Sequence, residues 1–368
     1  MDGLFLSFSW IERIASNWAA LTIALTCTGL VIWCCLVIDK YVRISLNIFT
    51  DTPPPLSMGP LDFERVSGQE VRLRAFDGTS LRGMWVRGGQ SKGVIIFCHE
   101  FGSDMHSCAR YTKPLMQAGF DIFTFDFRGH GESSCPPQYR PLQWASDKET
   151  GDVMGAIAHV HQELTQRGEP ARIGLFGISR GGCAAILAAA TDSSVEAVLA
   201  DGAFSTDSVC ISLMKRWAKI FARVRVAYEN HPEGFWRLLY RLMRCRAQRR
   251  MGCRYPSVRL AMNKMAPRPI MLIHGAQDSY VPAQQTQLLY EEAPSPKYVW
   301  IVPRAKHNQS VVIVPDEYAQ RTVAFFEKHL AGTDVDEVYI RGRTSPAPAE
   351  AADSKVPTQN PQQVQNGT

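Results

Sequence analysis

The N-terminal part of the chain carries one long apolar stretch. No charged residue occurs between Arg13 and Asp39, and the residues within that gap become almost continuously apolar. A helix needs about 20 predominantly apolar residues to cross a bilayer, and this stretch reaches that length. We therefore predict one membrane-spanning helix near the N-terminus. The predicted segments are an N-terminal stretch (1–17), a transmembrane helix (18–38) and a linker (39–60).

A cleavable signal peptide and a buried core helix are the alternatives to a membrane anchor. The sequence does not favour a signal peptide, because the chain starts with an acidic rather than a basic segment and no small-x-small cleavage site follows the stretch. Lys40 and Arg43 follow the stretch, whereas Arg13 precedes it. The positive-inside rule therefore favours a single-pass protein whose main domain is cytoplasmic.

After the linker, short apolar runs alternate with stretches of helical periodicity. Two β-rich runs, Glu70–Ala75 and Ser80–Val86, are joined by Asp77-Gly78 and predict a hairpin. The further candidate strands are Val94–Cys98, Asp121–Phe125, Arg172–Phe176, Val195–Ala200, Ile270–His274 and Tyr298–Val302, and the candidate helices lie near 106–117, 150–165, 180–190, 283–292 and 316–330. Such alternation is typical of an α/β domain, here 61–332, with a mostly parallel sheet covered by helices on both faces.

One interval within this domain lacks any clear strand. It covers about 206–267, which is too long for a plain loop, and therefore predicts an inserted helical cap. The end of the chain has a different character, since residues 343–368 include no aromatic residue and are rich in Pro, Ala, Gln and Asn. We expect residues 333–368 to form a disordered tail.

The predicted cap is strongly basic. Residues 208–268 include 15 Lys and Arg against 2 Glu, a local net charge of +13 in a chain whose net charge is +5. The basic positions at helical spacing are Arg216, Lys219, Arg223, Arg237, Arg241 and Arg244. We place Trp217, Leu238 and Leu242 on the opposite sides of these helices. The pattern predicts either solvated helices or a surface that lies on anionic lipid. No nucleic-acid-binding module accompanies it, so nucleic acid is not expected as a partner.

A candidate nucleophile lies between a predicted strand and a predicted helix. Gly177-Ile178-Ser179-Arg180-Gly181 follows the strand Arg172–Phe176 and precedes an Ala-rich helical stretch. Gly-x-Ser-x-Gly in this position forms a nucleophile elbow, whose glycines permit the strained turn that lifts the Ser hydroxyl out of the sheet. We predict Ser179 as a catalytic nucleophile.

Two later loops carry the acid and the base that such a serine requires. Asp278 and His307 each follow a candidate strand, in the order Ser, acid, His. Loops at the carboxyl edge of a parallel sheet lie together, so these side chains are expected to meet Ser179. Asp201 also ends a strand and is a competing acid. We favour Asp278, because a triad needs its carboxylate beside the His loop.

A glycine-bearing turn, His99-Glu100-Phe101-Gly102, follows the strand Val94–Cys98. Such a turn can direct a backbone N–H at the oxyanion, and the second donor is expected to be the N–H of Arg180, the residue after the nucleophile. Glu100 has two interpretations. Its side chain either points away and accepts a local hydrogen bond or lies near the acyl site, where it would disfavour anionic substrates.

Together these motifs resemble those of the α/β-hydrolase superfamily, nearest to its serine aminopeptidase-like, monoglyceride-lipase-like and acyl-esterase branches. The resemblance covers roughly residues 70–330. It rests on His99-Glu-Phe-Gly, Asp126-Phe-Arg-Gly-His-Gly-Glu-Ser133, the elbow at Ser179, His274-Gly-x-x-Asp278-x-x-Val-Pro282 and His307. It implies an α/β-hydrolase fold with an eight-stranded sheet, a cap between strands six and seven, and hydrolysis of acyl or ester bonds without a cofactor.

The resemblance also implies residue roles. Phe101 supplies the loop donor of the oxyanion hole, the segment from Asp126 to Ser133 is a structural turn, and Arg128 has no catalytic role. The family usually has His-Gly where this chain has His99-Glu100. We expect cleavage of esters or thioesters, with lipids among the substrates; a peptidase, an acyltransferase and a catalytically idle lipid- or protein-binding scaffold are the alternatives. The ten cysteines include no CxxC pair, so no metal site is predicted.

Overall fold

An eight-stranded sheet forms the centre of the molecule. The computed structural model describes residues 2–52, 64–90, 92–221 and 231–342. The strands are β1 (Gln69–Arg74), β2 (Ser80–Val86), β3 (Val94–Cys98), β4 (Asp121–Phe125), β5 (Ile173–Ile178), β6 (Val195–Asp201), β7 (Ile270–Gly275) and β8 (Lys297–Val302). Their order is β1-β2-β4-β3-β5-β6-β7-β8, with β1–β2 and β2–β4 antiparallel and the other pairs parallel. This topology confirms the α/β-hydrolase fold that the resemblance implied.

Helices cover both faces of this sheet, and others form the cap and the N-terminal segment. The helices are α1 (Asp2–Asp51), α2 (Cys108–Gln117), α3 (Asp147–Arg167), α4 (Arg180–Ala189), α5 (Thr206–Phe221), α6 (Glu233–Met251), α7 (Val258–Met262), α8 (Gln284–Glu292), α9 (Ser310–Ile313), α10 (Pro315–Phe326) and α11 (Val338–Arg341). Strands β3, β4, β5 and β7 are buried along their whole length because helices pack on both sides of them. The cap is formed by α5, α6 and α7, which lie between β6 and β7.

Helix α1 is longer than the predicted membrane span. It continues without a break to Asp51, and its last three turns pack on the domain, with Val42 and Phe49 buried. The ring of Phe49 stacks on Trp144 with centroids 5.1 Å apart and meets Tyr255 edge-on. The linker predicted over 39–60 is therefore wrong for residues 39–51, while residues 53–60 lie outside the described residues.

The basic cap helix α6 is oriented differently from the prediction. Its buried residues are Trp236, Leu239, Tyr240, Met243, Ala247 and Met251. Leu238 and Leu242 are 48% and 39% exposed, beside Arg237 and Arg241 rather than opposite them. The core-facing stripe of the helix includes the large side chains of Trp236, Tyr240 and Met243. Arg223, which was predicted to lie on the basic side of the first cap helix, is outside the described residues.

The segment predicted to be a disordered tail begins with ordered structure. Helix α11 lies within residues 333–342, and its Ile340 is buried. The guanidinium of Arg321 donates to the carbonyl oxygen of Arg341 at 2.7 Å, which ties this helix to α10. Residues 343–368 lie outside the described residues.

Candidate active site

Ser179 lies on the sharp turn between β5 and α4. It adopts φ 53° and ψ −118°, a conformation that residues with a side chain rarely accept. A Cβ atom on Gly177 would lie 2.5 Å from Gly182, and one on Gly181 would lie 2.1 Å from the carbonyl oxygen of Cys98. These close approaches explain why the elbow needs glycine on both sides of Ser179.

Ser179, His307 and Asp278 form one hydrogen-bonded chain. The Ser179 Oγ lies 2.8 Å from Nε2 of His307, and Nδ1 of the same ring lies 2.5 Å from Oδ2 of Asp278. An ionised carboxylate can only accept, so Nδ1 carries a proton and Nε2 is able to accept the hydroxyl proton of Ser179. The Ser179 and Asp278 residues are buried, and the His307 side chain is 16% exposed. This arrangement can activate Ser179 as a nucleophile.

The carboxylate of Asp278 is held through both oxygens. Its Oδ1 accepts hydrogen bonds from the backbone N–H groups of Tyr280 (2.9 Å) and Val281 (2.8 Å), and its Oδ2 also lies 3.2 Å from Nε2 of His274. Burial acts to raise the pKa of Asp278, but hydrogen bonds to His274 and His307 outweigh it and hold this pKa below its ordinary value. Asp278 therefore stays ionised at neutral pH and can orient His307.

The fully buried His274 supports the loop of the acid. Its Nε2 lies 2.8 Å from the carbonyl oxygen of Val281, and its Nδ1 lies 2.7 Å from Oγ1 of Thr286. Because a carbonyl oxygen only accepts, Nε2 donates and Nδ1 accepts from the Thr286 hydroxyl. The sequence offered no sign of this supporting role except the place of His274 in the motif that carries Asp278.

Asp201, the competing acid, is buried at the end of β6 and is not hydrogen-bonded to His307. Its Oδ2 accepts from the hydroxyl of Tyr318 at 2.9 Å, and its carbonyl oxygen accepts from the N–H of Ser179 at 2.7 Å. Burial raises the pKa of Asp201 to about 6. The geometry thus favours Asp278 as the orienting acid, whereas Asp201 supports the elbow.

The two predicted oxyanion donors, Phe101 and Arg180, lie side by side. Arg180 is the first residue of α4, where N–H groups have no acceptor within the helix. Its guanidinium carbon lies 5.2 Å from the centre of the Phe101 ring. The buried Arg180 side chain also donates to the carbonyl oxygen of Leu142 at 3.1 Å. These contacts fix the relative position of the two segments whose backbone N–H groups are the candidate donors.

His99 fixes the turn that carries Phe101. Its ring is fully buried, with Nε2 accepting from the N–H of Phe127 at 3.1 Å and Nδ1 donating to the carbonyl oxygen of Glu100 at 2.7 Å. Burial lowers the pKa of His99 well below its ordinary value, so the ring is neutral. Sequence reasoning gave His99 no role beyond its place in the motif.

The Glu100 side chain is buried beside the same turn. Its Oε2 accepts a hydrogen bond from the hydroxyl of Ser107 at 3.4 Å. This contact agrees with the interpretation in which Glu100 accepts a local hydrogen bond. Burial raises the pKa of Glu100 to about 7, which disfavours a fixed negative charge at this position.

Arg128 takes part in a buried ion-pair network. Its guanidinium bonds to Asp152 at 2.7 Å and to Asp77 at 2.9 Å, and so joins helix α3 to the β1–β2 turn. Neither partner belongs to the hydrogen-bonded chain at Ser179. The contacts of Arg128 therefore agree with the structural, non-catalytic role that the resemblance implied.

Residues 89–309, which contain all of these side chains except those of Asp77 and Tyr318, match the family described as serine aminopeptidase, S33. The chain belongs to the serine aminopeptidase S33 family. Its relatives in sequence include the uncharacterized protein YfhR of Escherichia coli O157:H7, which is 24% identical over 272 residues, or 72% of this chain and 81% of that protein.

Two further similarities extend the comparison of this S33 family member. The thiohydrolase aneE of Aspergillus aculeatus is 27% identical over 139 residues, which cover 38% of this chain and 42% of that protein. Among solved structures, the esterase Pf2001 of Pyrococcus furiosus superposes with a TM-score of 0.53 at 23% identity, over 76% of this chain and 98% of that protein. The structural similarity supports the fold of the S33 member.

Proposed function

We propose that this chain is a membrane-anchored serine hydrolase that cleaves carboxylic ester or thioester bonds. The observation that carries the proposal is the hydrogen-bonded chain from Ser179 through His307 to Asp278, with distances of 2.8 Å and 2.5 Å. Three side chains of these types, ordered in this way at a strained elbow, have the geometry that acyl transfer requires.

In the first step, His307 removes the proton of the Ser179 hydroxyl while the oxygen attacks the substrate carbonyl. Nδ1 of His307 remains bonded to the ionised Asp278, which stabilises the imidazolium that forms. The carbonyl oxygen becomes an oxyanion, and the backbone N–H groups of Phe101 and Arg180 are its proposed donors. His307 then protonates the leaving alcohol or thiol, and Ser179 keeps the acyl group as an ester.

In the second step, water takes the place of the leaving group. His307 removes a proton from the water, the resulting hydroxide attacks the acyl-Ser179 carbonyl, and the collapse of the intermediate returns the proton to Ser179. The buried setting of the nucleophile and the acid strengthens these charge interactions, because little water surrounds them. The products are a carboxylic acid and the alcohol or thiol.

We favour an ester or thioester over a peptide as the substrate because the carboxylates near Ser179 already have hydrogen-bond partners within the protein. An aminopeptidase needs a carboxylate to bind the ammonium group of its substrate. In the part of the site that the structure describes, Asp278 bonds to two histidines and Asp201 accepts from Tyr318. Glu100 accepts from Ser107, and burial raises its pKa to about 7, which disfavours the charged form that would bind an ammonium group. The name of the thiohydrolase aneE, a partial relative, also supports acyl transfer from a thioester.

A hydrolysis screen tests this proposal. The full-length protein is offered 4-nitrophenyl esters of graded chain length, an acyl thioester and an aminoacyl 4-nitroanilide, with Ser179→Ala as the control. We expect turnover of the esters or the thioester that is lost in the control. Faster cleavage of the anilide would show a peptidase, transfer to an added alcohol in place of hydrolysis would show an acyltransferase, and no turnover by the folded protein would favour a scaffold.

The anchor is the second part of the proposal, and α1 supports it. From Asn17 onwards this helix contains an 18-residue window of mean hydropathy 2.4 in which no residue is buried. A core helix would be buried, so its exposure argues against that alternative. A signal sequence passes the same length and composition test. However, the helix continues unbroken into the packed segment at Val42 and Phe49, so cleavage after residue 38 would sever it.

Extraction tests the anchor. The full-length protein in membranes should resist high salt and alkali and be released by detergent, because a spanning helix is held by its apolar surface. Release by alkali alone would contradict the anchor. Because Lys40 and Arg43 follow the apolar segment, we further propose that the domain lies in the cytoplasm. In that orientation, a protease added outside sealed cells should leave the domain intact.

A further inference from the structure

The outer side of α6 combines basic and apolar side chains. Five exposed residues form what we call the α6 outer face: Arg237, Leu238, Arg241, Leu242 and Cys245. A single exposed leucine is ordinary on a protein surface. Here Leu238 and Leu242 lie one turn apart, and each directly follows an arginine, Arg237 or Arg241. Arginines beside large apolar residues are typical of helices that lie in a membrane interface.

Helix α6 is attached to the anchor helix at the point where the apolar stretch ends. A guanidinium nitrogen of Arg246 lies 2.6 Å from Oδ1 of Asp39, the first charged residue after that stretch. Arg250 and Arg140 lie 3.4 Å and 3.1 Å from the carboxylate of Asp51 at the end of α1. With 1.5 Å of rise per residue, Leu242 lies about 6 Å along α6 from Arg246. The α6 outer face is therefore close to the headgroup layer of an anchored molecule.

Four of the six arginines of α6 fall into two pairs that differ in their partners. Arg246 and Arg250 pair with Asp39 and Asp51 of α1, which also pair with Arg43 and Arg140. Within the described ranges, Arg237 and Arg241 form no salt bridge and both are exposed; Glu233, one turn before Arg237, pairs with Lys215 and interacts with Arg237 only through the longer-range attraction of their charges. These two positive charges remain available for an external anion. A membrane leaflet that contains anionic lipid offers such anions at the height where the helix lies.

We propose that the α6 outer face rests on the anionic leaflet from which α1 emerges. Leu238 and Leu242 insert at the boundary of headgroups and acyl chains, while Arg237 and Arg241 bind lipid phosphates. This inference rests on the membrane anchoring of the proposed function. The contact holds the active site at a fixed height, because α5 joins α6 to the acid loop: Lys215 of α5 pairs with Glu233 of α6, and Arg216 of α5 donates to the carbonyl oxygen of Ser279.

The exposed Cys245 gives a direct test, and the exposed Cys135 serves as an internal control. The full chain with Cys27, Cys34 and Cys35 changed to Ala is placed in nanodiscs of phosphatidylcholine, with or without phosphatidylserine. The rate of maleimide alkylation is then measured at each cysteine. We expect Cys245 to react several-fold more slowly in anionic discs than in neutral discs, while Cys135 reacts equally in both. Salt at 1 M, where the Debye length is about 3 Å, should reduce the difference.

A charge variant and its matched control sharpen the result. Arg237→Gln with Arg241→Gln should abolish the lipid dependence at Cys245, whereas Lys113→Gln with Lys264→Gln, which removes two exposed charges elsewhere, should leave it intact. Equal alkylation of Cys245 in both kinds of disc overturns the proposal. If the protection of Cys245 depends on protein concentration and not on lipid, the α6 outer face contacts a second copy of the chain, and the proposal is overturned. Hydrolysis of a soluble ester and association with the discs, measured on the same samples, report separately on the proposed function.

Discussion

The acid of the candidate site has more supporting contacts than the base. Asp278 receives two backbone N–H groups and two histidine rings, whereas His307 bonds only to Ser179 and Asp278 among the described residues. Each contact to Asp278 favours its ionised form, which is the form that orients His307. These contacts keep the carboxylate of Asp278 charged and hold it in the position that orients His307.

Substitution of the two aspartates tests this assignment. Asp278→Asn should lower kcat for a soluble ester by about 10⁴, because the amide presents the wrong hydrogen-bonding partner to Nδ1 of His307. Asp201→Asn should lower kcat far less, since Asp201 is bonded to Tyr318 and not to His307. Steady-state kinetics on folded variants measures both. The opposite ranking would assign the acid to Asp201.

Glu100 predicts a pH dependence of stability. Its pKa is raised from 4.5 to about 7 in the folded protein, so the folded state holds a proton that the unfolded chain has lost between these values. The associated stability is complete below the unfolded pKa and is lost as pH rises through about 7. One pKa unit corresponds to about 1.4 kcal/mol, so Glu100→Gln should be more stable than the parent by on the order of 3 kcal/mol at about pH 8.

Denaturation in detergent at about pH 5 and about pH 8 measures this effect. The Glu100→Gln variant should lose less stability than the parent between the two conditions. Glu291→Gln changes an exposed glutamate and should leave the parent's pH dependence in place. If the parent and Glu100→Gln lost the same stability between the two pH values, the buried, partly protonated state of Glu100 would be contradicted.

At the residue scale, motif order and strand context were sufficient to predict which side chains meet. Ser179, Asp278 and His307 each follow a strand, and parallel strands end at one edge. The supporting roles of His274 and of the Arg180 side chain could not be predicted. Both depend on contacts between segments far apart in the chain, such as Arg180 with Leu142, and no local pattern encodes such contacts.

At the scale of elements, α1 joins the proposed anchor segment to the α/β domain. The helix passes from an exposed apolar segment into a packed one, where Phe49 lies between Trp144 and Tyr255. Phe49→Ala should therefore destabilise the domain by about 3 kcal/mol or more, because it leaves a cavity in a buried aromatic cluster. Chemical denaturation in detergent measures the loss.

Leu36→Ala is the matched control for this element. It removes a large apolar side chain from the same helix, but Leu36 is 62% exposed and contacts no core. We expect no measurable change in the stability of the domain. Equal destabilisation by the two substitutions, or none by Phe49→Ala, would contradict the docking of α1 on the cap.

The strands and most helices were predictable because their apolar periodicity is local. The end of α1 was not, since the charged residues at 39 and 40 obscured the apolar positions Val42, Leu46 and Phe49, whose spacing is helical. The predicted faces of α6 were wrong for a geometric reason. Neighbouring residues are 100° apart on a helix, so Arg237 and Leu238 cannot lie on opposite sides once Trp236 and Leu239 face the core.

At the scale of the whole molecule, the order of the motifs along the chain was sufficient to predict the sheet and its cap. The contact between the anchor and the cap was not predictable, because it joins Asp39 to Arg246 across 207 positions of sequence. That contact links the proposed anchor helix to the basic cap. In the proposed arrangement, α1 and α6 set the position of the α/β domain on the membrane and the elbow at Ser179 performs the chemistry.

The central claim is that Ser179 is the activated nucleophile. The most direct test treats the full-length protein in nanodiscs with a fluorophosphonate probe and maps the modified peptide by mass spectrometry. We expect modification of Ser179, loss of both labelling and hydrolysis in a folded Ser179→Ala variant, and slow labelling in His307→Ala, which lacks the base. Modification of a different serine, or hydrolysis that persists in the folded Ser179→Ala variant, would contradict it.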